Sequence, residues 1–222
     1  MQMELDVAAL GGYVARQIGA LFPIPGDETA VRAELNSALP EALDWAEECF
    51  SLIKVKCFRR DGRPYFSPLI GDQYAMFLYM LAHTVGRRGS GGTLASRLYL
   101  LNKALHGLDV FYEVKMPRVF LFVHPLGTVL GRANYGDRIV IYQGVTVGGN
   151  TKYEYPDIGR NVVLYSNSSV LGRCRLNDGA LVAARACLME IEIPANHVAF
   201  GLHPAVKFRP AKHSVQGMYY AD

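Results

Sequence analysis

Aliphatic or aromatic residues recur at every sixth position along two stretches of this chain. The first runs Val123, Val129, Tyr135, Ile141, Val147, and the second Ile158, Leu164, Val170, Leu176, Val182, Leu188. A helix repeats every 3.6 residues and a strand every two, so neither carries this period over such a length. A fixed short repeat marks a solenoid, whose stacked coils bury one continuous core. A triangular coil suits the spacing, each side sending one apolar residue inward, with about eighteen residues to the coil. In the second stretch the positions two before the inward ones are small or β-branched: Val162, Ser168, Cys174, Ala180 and Ala186. Gly136, Gly148, Gly159 and Asn177 follow inward positions, where a corner calls for positive φ. A run of hairpins with coincident spacing is the competing reading, and the phasing of both blocks makes it the poorer one.

Between Val147 and Ile158 the spacing is eleven residues, so GGNTKYEYPD reads as an insertion bulging from the coil, where solenoids place binding residues.

The first hundred residues follow a helical rhythm. Val7, Leu10, Val14, Ile18 and Leu21 form one stripe after Asp6. Asp27 offers a side-chain cap for DETAVRAELNSAL, and Pro40 restarts a helix through ALDWAEECFSLI. RRDGRPYFSPLIGD reads as a loop, Asp72 caps a helix through Val85 that Gly86 stops, and Thr93 starts one that ends at Gly107. Five helices are expected.

Composition narrows the function classes. Half of the 222 residues are apolar and the net charge is only +3, with no Lys/Arg stripe for nucleic acid. Cys49, Cys57, Cys174 and Cys187 form no CxxC pair, and His197, His203 and His213 are unphased, so no metal site is expected. The start MQMELDVAALGG lacks the pattern of a signal peptide. The longest apolar run, YAMFLYMLA, is far short of the ~20 residues that span a bilayer. A reduced, cytoplasmic protein without membrane insertion is the expectation.

ALHGLD (Ala104 to Asp109), HPLGTVLG (His124 to Gly131), QGVTVGG (Gln143 to Gly149) and GLHPAVKF near the C-terminus together resemble the hexapeptide-repeat acyltransferases, most closely the serine O-acetyltransferases. The likeness runs from about residue 95 onward. It implies an α+β fold: an α-helical N-terminal domain over 1–107, a left-handed parallel β-helix over 108–200, and a tail over 201–222. It also implies an acetyl-CoA-dependent O-acetyltransferase, with acetyl-CoA as acyl donor, that assembles as a homotrimer or a dimer of trimers.

By the same resemblance His124 is the general base on a small-molecule acceptor hydroxyl, and Asp109, fifteen residues earlier, orients it. The chemistry is sound in itself. An alcohol attacks well only when a base takes its proton, and a carboxylate on the far ring nitrogen fixes the tautomer. With a coil of about eighteen residues, Asp109 falls about one coil below His124, and His124, following an inward Val123, projects outward. The resemblance further places Gly148 and Gly149 at the thioester. It puts Ser166, Asn167, Ala183 and Ala184 along a pantetheine groove, and in the tail Lys207, Arg209 and Lys212 are cations suited to the phosphates of coenzyme A. Corner packing and a solvated basic tail are the structural readings of those same residues.

The acceptor side departs from the pattern. The serine enzymes carry aspartate where this chain has Val123, and Arg-His-Pro where it has Glu154-Tyr155-Pro156. Glu154 repels a carboxylate rather than binding it. The chain ends MYYAD instead of in the isoleucine of enzymes that dock onto cysteine synthase, so that complex is not expected. The expected acceptor is therefore not free L-serine. A sugar O-acetyltransferase of surface-glycan biosynthesis, with Tyr153, Glu154 and Tyr155 on the sugar, is one alternative. Serine held by Asp72 and the Arg59-Arg60 pair is another, and a non-enzymatic trimeric scaffold is the third.

Overall fold

The computed structural model describes residues 1–89 and 93–221. Four helices lead: α1 (Val7–Leu21), α2 (Glu28–Leu52), α3 (Gly71–Arg87) and α4 (Thr93–His106). The Asp6 carboxylate caps α1, accepting the Ala9 N–H at 2.8 Å. Pro40 starts no new helix; it lies inside the single 25-residue helix α2. Burial of Leu35, Leu39, Ala42 and Ala46 on one side of α2 outweighs the ~3 kcal/mol that an interior proline costs. Asp27 precedes α2 without capping it, because its carboxylate pairs instead with the buried Arg97 of α4. Gly86 does not end α3 but admits the Tyr112 ring, since a Cβ there would stand 2.5 Å from Tyr112 Cδ2.

The stretch read as a loop holds a hairpin, Arg59–Arg60 against Arg63–Phe66, turned by Asp61 and Gly62, both at positive φ. This is the Asp-Gly turn chemistry that matches strand twist. Gln2–Met3 adds a parallel strand to it.

From Asp109 the chain winds into a three-sided parallel β-helix. One face stacks Asp109–Val110, Val129–Leu130, Thr146–Gly148, Ser169–Leu171 and Cys187–Met189. The second stacks Phe120–Val123, Ile139–Tyr142, Val163–Leu164, Leu181–Val182 and His197–Phe200, and the third Asn134–Tyr135, Asp157–Ile158, Arg175–Leu176 and Glu192–Ile193. Tyr135, Ile141, Val147 and every inward residue expected from Ile158 to Leu188 are buried, as are the five small or β-branched companions.

The first two expected positions are not inward. Val123 is half-buried and Val129 is 42% exposed. Phe122, paired with Ile141, and Leu130, paired with Val147, are buried in their place. The corner glycines also act differently from the expectation. Positive φ falls at Gly144, Asn167 and Arg185 in one column and at Arg138, Asn161, Gly179 and Asn196 in another. Gly136 is required by close approach, because a Cβ there would lie 2.3 Å from the Gly159 carbonyl carbon.

The second face has apolar residues on both sides. Val140, Val163 and Leu181 alternate with the inward positions yet are buried, as in sheets covered on both faces. The C-terminal segment folds back on this side of the molecule. Lys207–Pro210 pairs antiparallel with His197–Phe200, and helix α5 (Val215–Tyr219) follows. Tyr220 is fully buried, its hydroxyl donating to the Ile139 carbonyl at 2.9 Å, while the Ala221 N–H reaches the Leu52 carbonyl of α2. The segment thus joins solenoid and helices.

Candidate active site

The corner at His124 is longer than those above it. Between inward residues it runs from Phe122 to Leu130, whereas the corner of the next coil runs from Ile141 to Val147. Ladder register shows where the excess lies: Val123 pairs with Tyr142, and the Gly144 N–H bonds to the Leu126 carbonyl. His124 and Pro125 are therefore an insertion with no counterpart in the coil above. The Leu126 N–H turns back to the His124 carbonyl at 2.6 Å, and His124 takes φ +48°. The imidazole points out, with its side chain 78% exposed. It projects as expected, but because the backbone bulges rather than because Val123 points inward.

Asp72, in the first turn of α3, meets this bulge. Its Oδ1 accepts the His124 N–H at 3.0 Å and lies 3.6 Å from His124 Nδ1. Asp72 caps no helix; the residue before α3 is Ile70. Burial pushes the Asp72 carboxyl above its ordinary range, and His124 partly offsets that.

Asp109 is placed elsewhere. It pairs with Val129, so it lies one coil beneath Val129 and not beneath His124. Val110 to the inward Phe122 spans two regular six-residue sides, so it is the two inserted residues that move the register away from the uniform coil. Its carboxylate accepts from Tyr99 Oη at 2.7 Å and Lys103 Nζ at 2.6 Å, both on α4. Burial works to raise the Asp109 carboxyl, and these two donors outweigh it, holding it below its ordinary range. Tyr99 and Lys103 were missed from the sequence, although four-residue spacing on one helix was a usable signal.

A second feature lies higher up, on the second face. Ala183, Ala184, Arg209 and Lys212 line a cavity of about 330 Å³ together with Tyr165 and Met218. Lys207 and Ser166 are not among its lining residues. Lys207 is exposed on the outer strand, and the Ser166 carbonyl accepts the Arg185 N–H. The strand positions leading up from Val123 are Tyr142 and Tyr165, whose rings lie 5.3 Å apart; Tyr142 Oη bonds to Tyr219 Oη of α5 at 2.9 Å.

The inserted loop brings Gly148, Gly149, Glu154 and Tyr155 together. A Cβ on Gly149 would meet the Tyr155 ring at 2.8 Å, so this glycine is needed for packing. Asn150 organises the loop. Its Oδ1 accepts from the Lys152 and Glu154 N–H groups, and its amide donates to Glu154 Oε2 and Glu190 Oε1, each at 2.7 Å. Two carboxylates thus converge on one amide. An asparagine that satisfies the backbone two residues on is a turn signal present in the sequence. Tyr153, at the tip, is 80% exposed. Among the described residues no cluster of His, Cys, Asp or Glu has the arrangement of a metal site, and no helix is long and apolar enough to cross a membrane.

No protein-family model matches the chain. A curated serine acetyltransferase of Helicobacter pylori is 30% identical over 132 residues, covering 58% of this chain and 76% of that protein. The crystal structure of a Vibrio cholerae serine acetyltransferase superposes with TM-score 0.71 over 94% of this chain and 81% of its own, at 20% identity. A serine acetyltransferase solved in complex with CoA gives TM-score 0.67 over 90% of this chain and 84% of its own, at 18% identity. The architectural likeness extends through the helical half, where sequence likeness has faded.

Proposed function

The chain belongs to the serine acetyltransferase family, and on that premise we propose an acetyl-CoA-dependent O-acetyltransferase in which His124 activates an acceptor alcohol that carries no carboxylate. The observation that supports it is the bulge: a solvent-facing imidazole inserted at one corner of an otherwise regular coil.

His124 Nδ1 faces Asp72, which leaves Nε2 for the acceptor. That nitrogen takes the hydroxyl proton as the acceptor oxygen bonds to the thioester carbon. When the carbon–sulfur bond breaks, the imidazolium returns the proton to the departing thiolate, so the base is restored and atoms balance. The cavity above suits the donor. Leu181, Ala183, Ala184 and Val198 offer an apolar floor for a pantetheine arm, and Arg209 and Lys212 offer cations for its phosphates. Asp109 then belongs to the junction with α4 through Tyr99 and Lys103.

The acceptor assignment is supported by the loop. Glu154 and Glu190 share the Asn150 amide, and their negative charge opposes an acceptor bearing a carboxylate. The experiment is thiol release from acetyl-CoA by the full-length protein with L-serine, glycerol or methyl α-D-glucopyranoside. Turnover is expected with a carboxylate-free alcohol. Saturable turnover with L-serine alone would overturn the acceptor assignment, and thiol release that survives in His124→Ala would overturn the role of His124.

A further inference from the structure

Resting on the reading of His124 as base, we propose that Asp72, supplied by the helical half, is the positioning residue for His124, in place of Asp109. Three observations carry this. First, the two-residue insertion lifts the His124 N–H away from the solenoid ladder, and a single Asp72 oxygen receives it at 3.0 Å. Second, that same oxygen lies 3.6 Å from Nδ1, so one carboxylate holds both the backbone and the ring of the residue. The separation is longer than a hydrogen bond, and such contacts tighten when substrate binds and the imidazole becomes charged. Third, Asp109 lies under Val129, and its two oxygens each accept from a residue of α4, Tyr99 and Lys103.

The arrangement has a physical logic. His124 sits at φ +48°, a conformation costing a non-glycine residue about 1–2 kcal/mol. A bond to its N–H holds the chain in that state and so keeps the ring outside the coil. The Asp72 side chain is only 18% exposed, so water competes weakly for it, whereas the imidazole stays accessible. The other titratable group facing Asp72 is the Cys57 thiol, which burial and the Asp72 charge both push upward, so it remains uncharged near neutrality. Among the described residues Asp72 therefore has one cationic partner to stabilise: the imidazolium formed during turnover. The helical half becomes part of the chemistry.

The test compares wild type, Asp72→Asn, Asp109→Asn and His124→Ala as full chains, using the best acceptor of the panel above. Asp72→Asn is expected to lower kcat about 100-fold or more, with acceptor KM changed less than about threefold. Asp109→Asn should leave kcat within about fivefold. Higher KM with unchanged kcat in Asp72→Asn would make Asp72 a substrate contact and overturn the proposal. The larger kcat loss in Asp109→Asn would overturn it in favour of Asp109. Full activity in His124→Ala would sink the underlying reading itself, a distinguishable failure. Nitrogen-15 NMR of the wild-type ring gives an independent readout that needs no variant to fold. A proton on Nδ1 in the neutral form is expected, and a bare Nδ1 would overturn the proposal.

Discussion

The corner at His124 and the three corners stacked above it join the same two faces of the coil. The upper three, Ile141 to Val147, Leu164 to Val170 and Val182 to Leu188, keep the six-residue step and turn through Gly144, Asn167 and Arg185 at positive φ. The lowest adds His124 and Pro125 and turns through both His124 and Gly127. The regular corners commit backbone and side chains to the ladder and the core. The irregular one frees an N–H and an imidazole, and an aspartate from another element takes up the freed donor. Here the break in the repeat is where a backbone donor leaves the ladder and its side chain is turned out to solvent.

Removing the inserted imidazole breaks this comparison most severely. His124→Ala should lower turnover about a thousandfold, while stability stays within about 0.5 kcal/mol, because so exposed a ring packs little. Activity assays paired with urea unfolding would check both. The phase of the insertion comes next. Leu130→Ala should cost about 2–5 kcal/mol, and Val129→Ala under about 0.5 kcal/mol, since only Leu130 is buried. The reverse order in urea midpoints would restore an unbroken six-residue phase. On the C-terminal strand that pairs with the last regular coil, Arg209→Ala should raise the acetyl-CoA KM about three- to tenfold with kcat unchanged. A kcat loss instead would place Arg209 nearer the reacting atoms.

The smallest effect concerns the helices that support Asp72. Burial holds the His83 and His106 rings below the ordinary imidazole range. The unfolded chain takes up protons there first. Their contribution is therefore complete above the unfolded pKa of about 6.5 and declines as pH falls toward the folded values. Urea midpoints should drop between pH 7.5 and pH 5.5, and His83→Gln should flatten part of that drop. A flat wild-type profile would show that these rings keep their protons equally in both states.

Much of the molecule could be read before any coordinates. The six-residue period from Tyr135 onward, the small companions of the inward residues and the loop after Val147 all followed from spacing alone. The outward His124 was anticipated too, though the bulge and not an inward Val123 is what turns it out. Three of the readings that failed share a cause. Pro40, Asp27 and Gly86 were weighed by local propensity, and each was overruled by a distant partner: the core under α2, Arg97 and the Tyr112 ring. The apolar outward positions Val140, Val163 and Leu181 did signal a covered face, yet nothing local said that the chain's own last residues would lie on that side.

A repeat is local information, written once per coil, and so the sequence by itself determined the solenoid and its inserted loop. Register and partnership are long-range. Two extra residues at one corner shifted Asp109 beneath Val129, and a carboxylate 52 residues away from His124 filled the gap. Only the tertiary structure could decide that, because which buried acid meets an unpaired N–H depends on how helices and coil dock, and docking is a property of whole surfaces rather than of any short stretch.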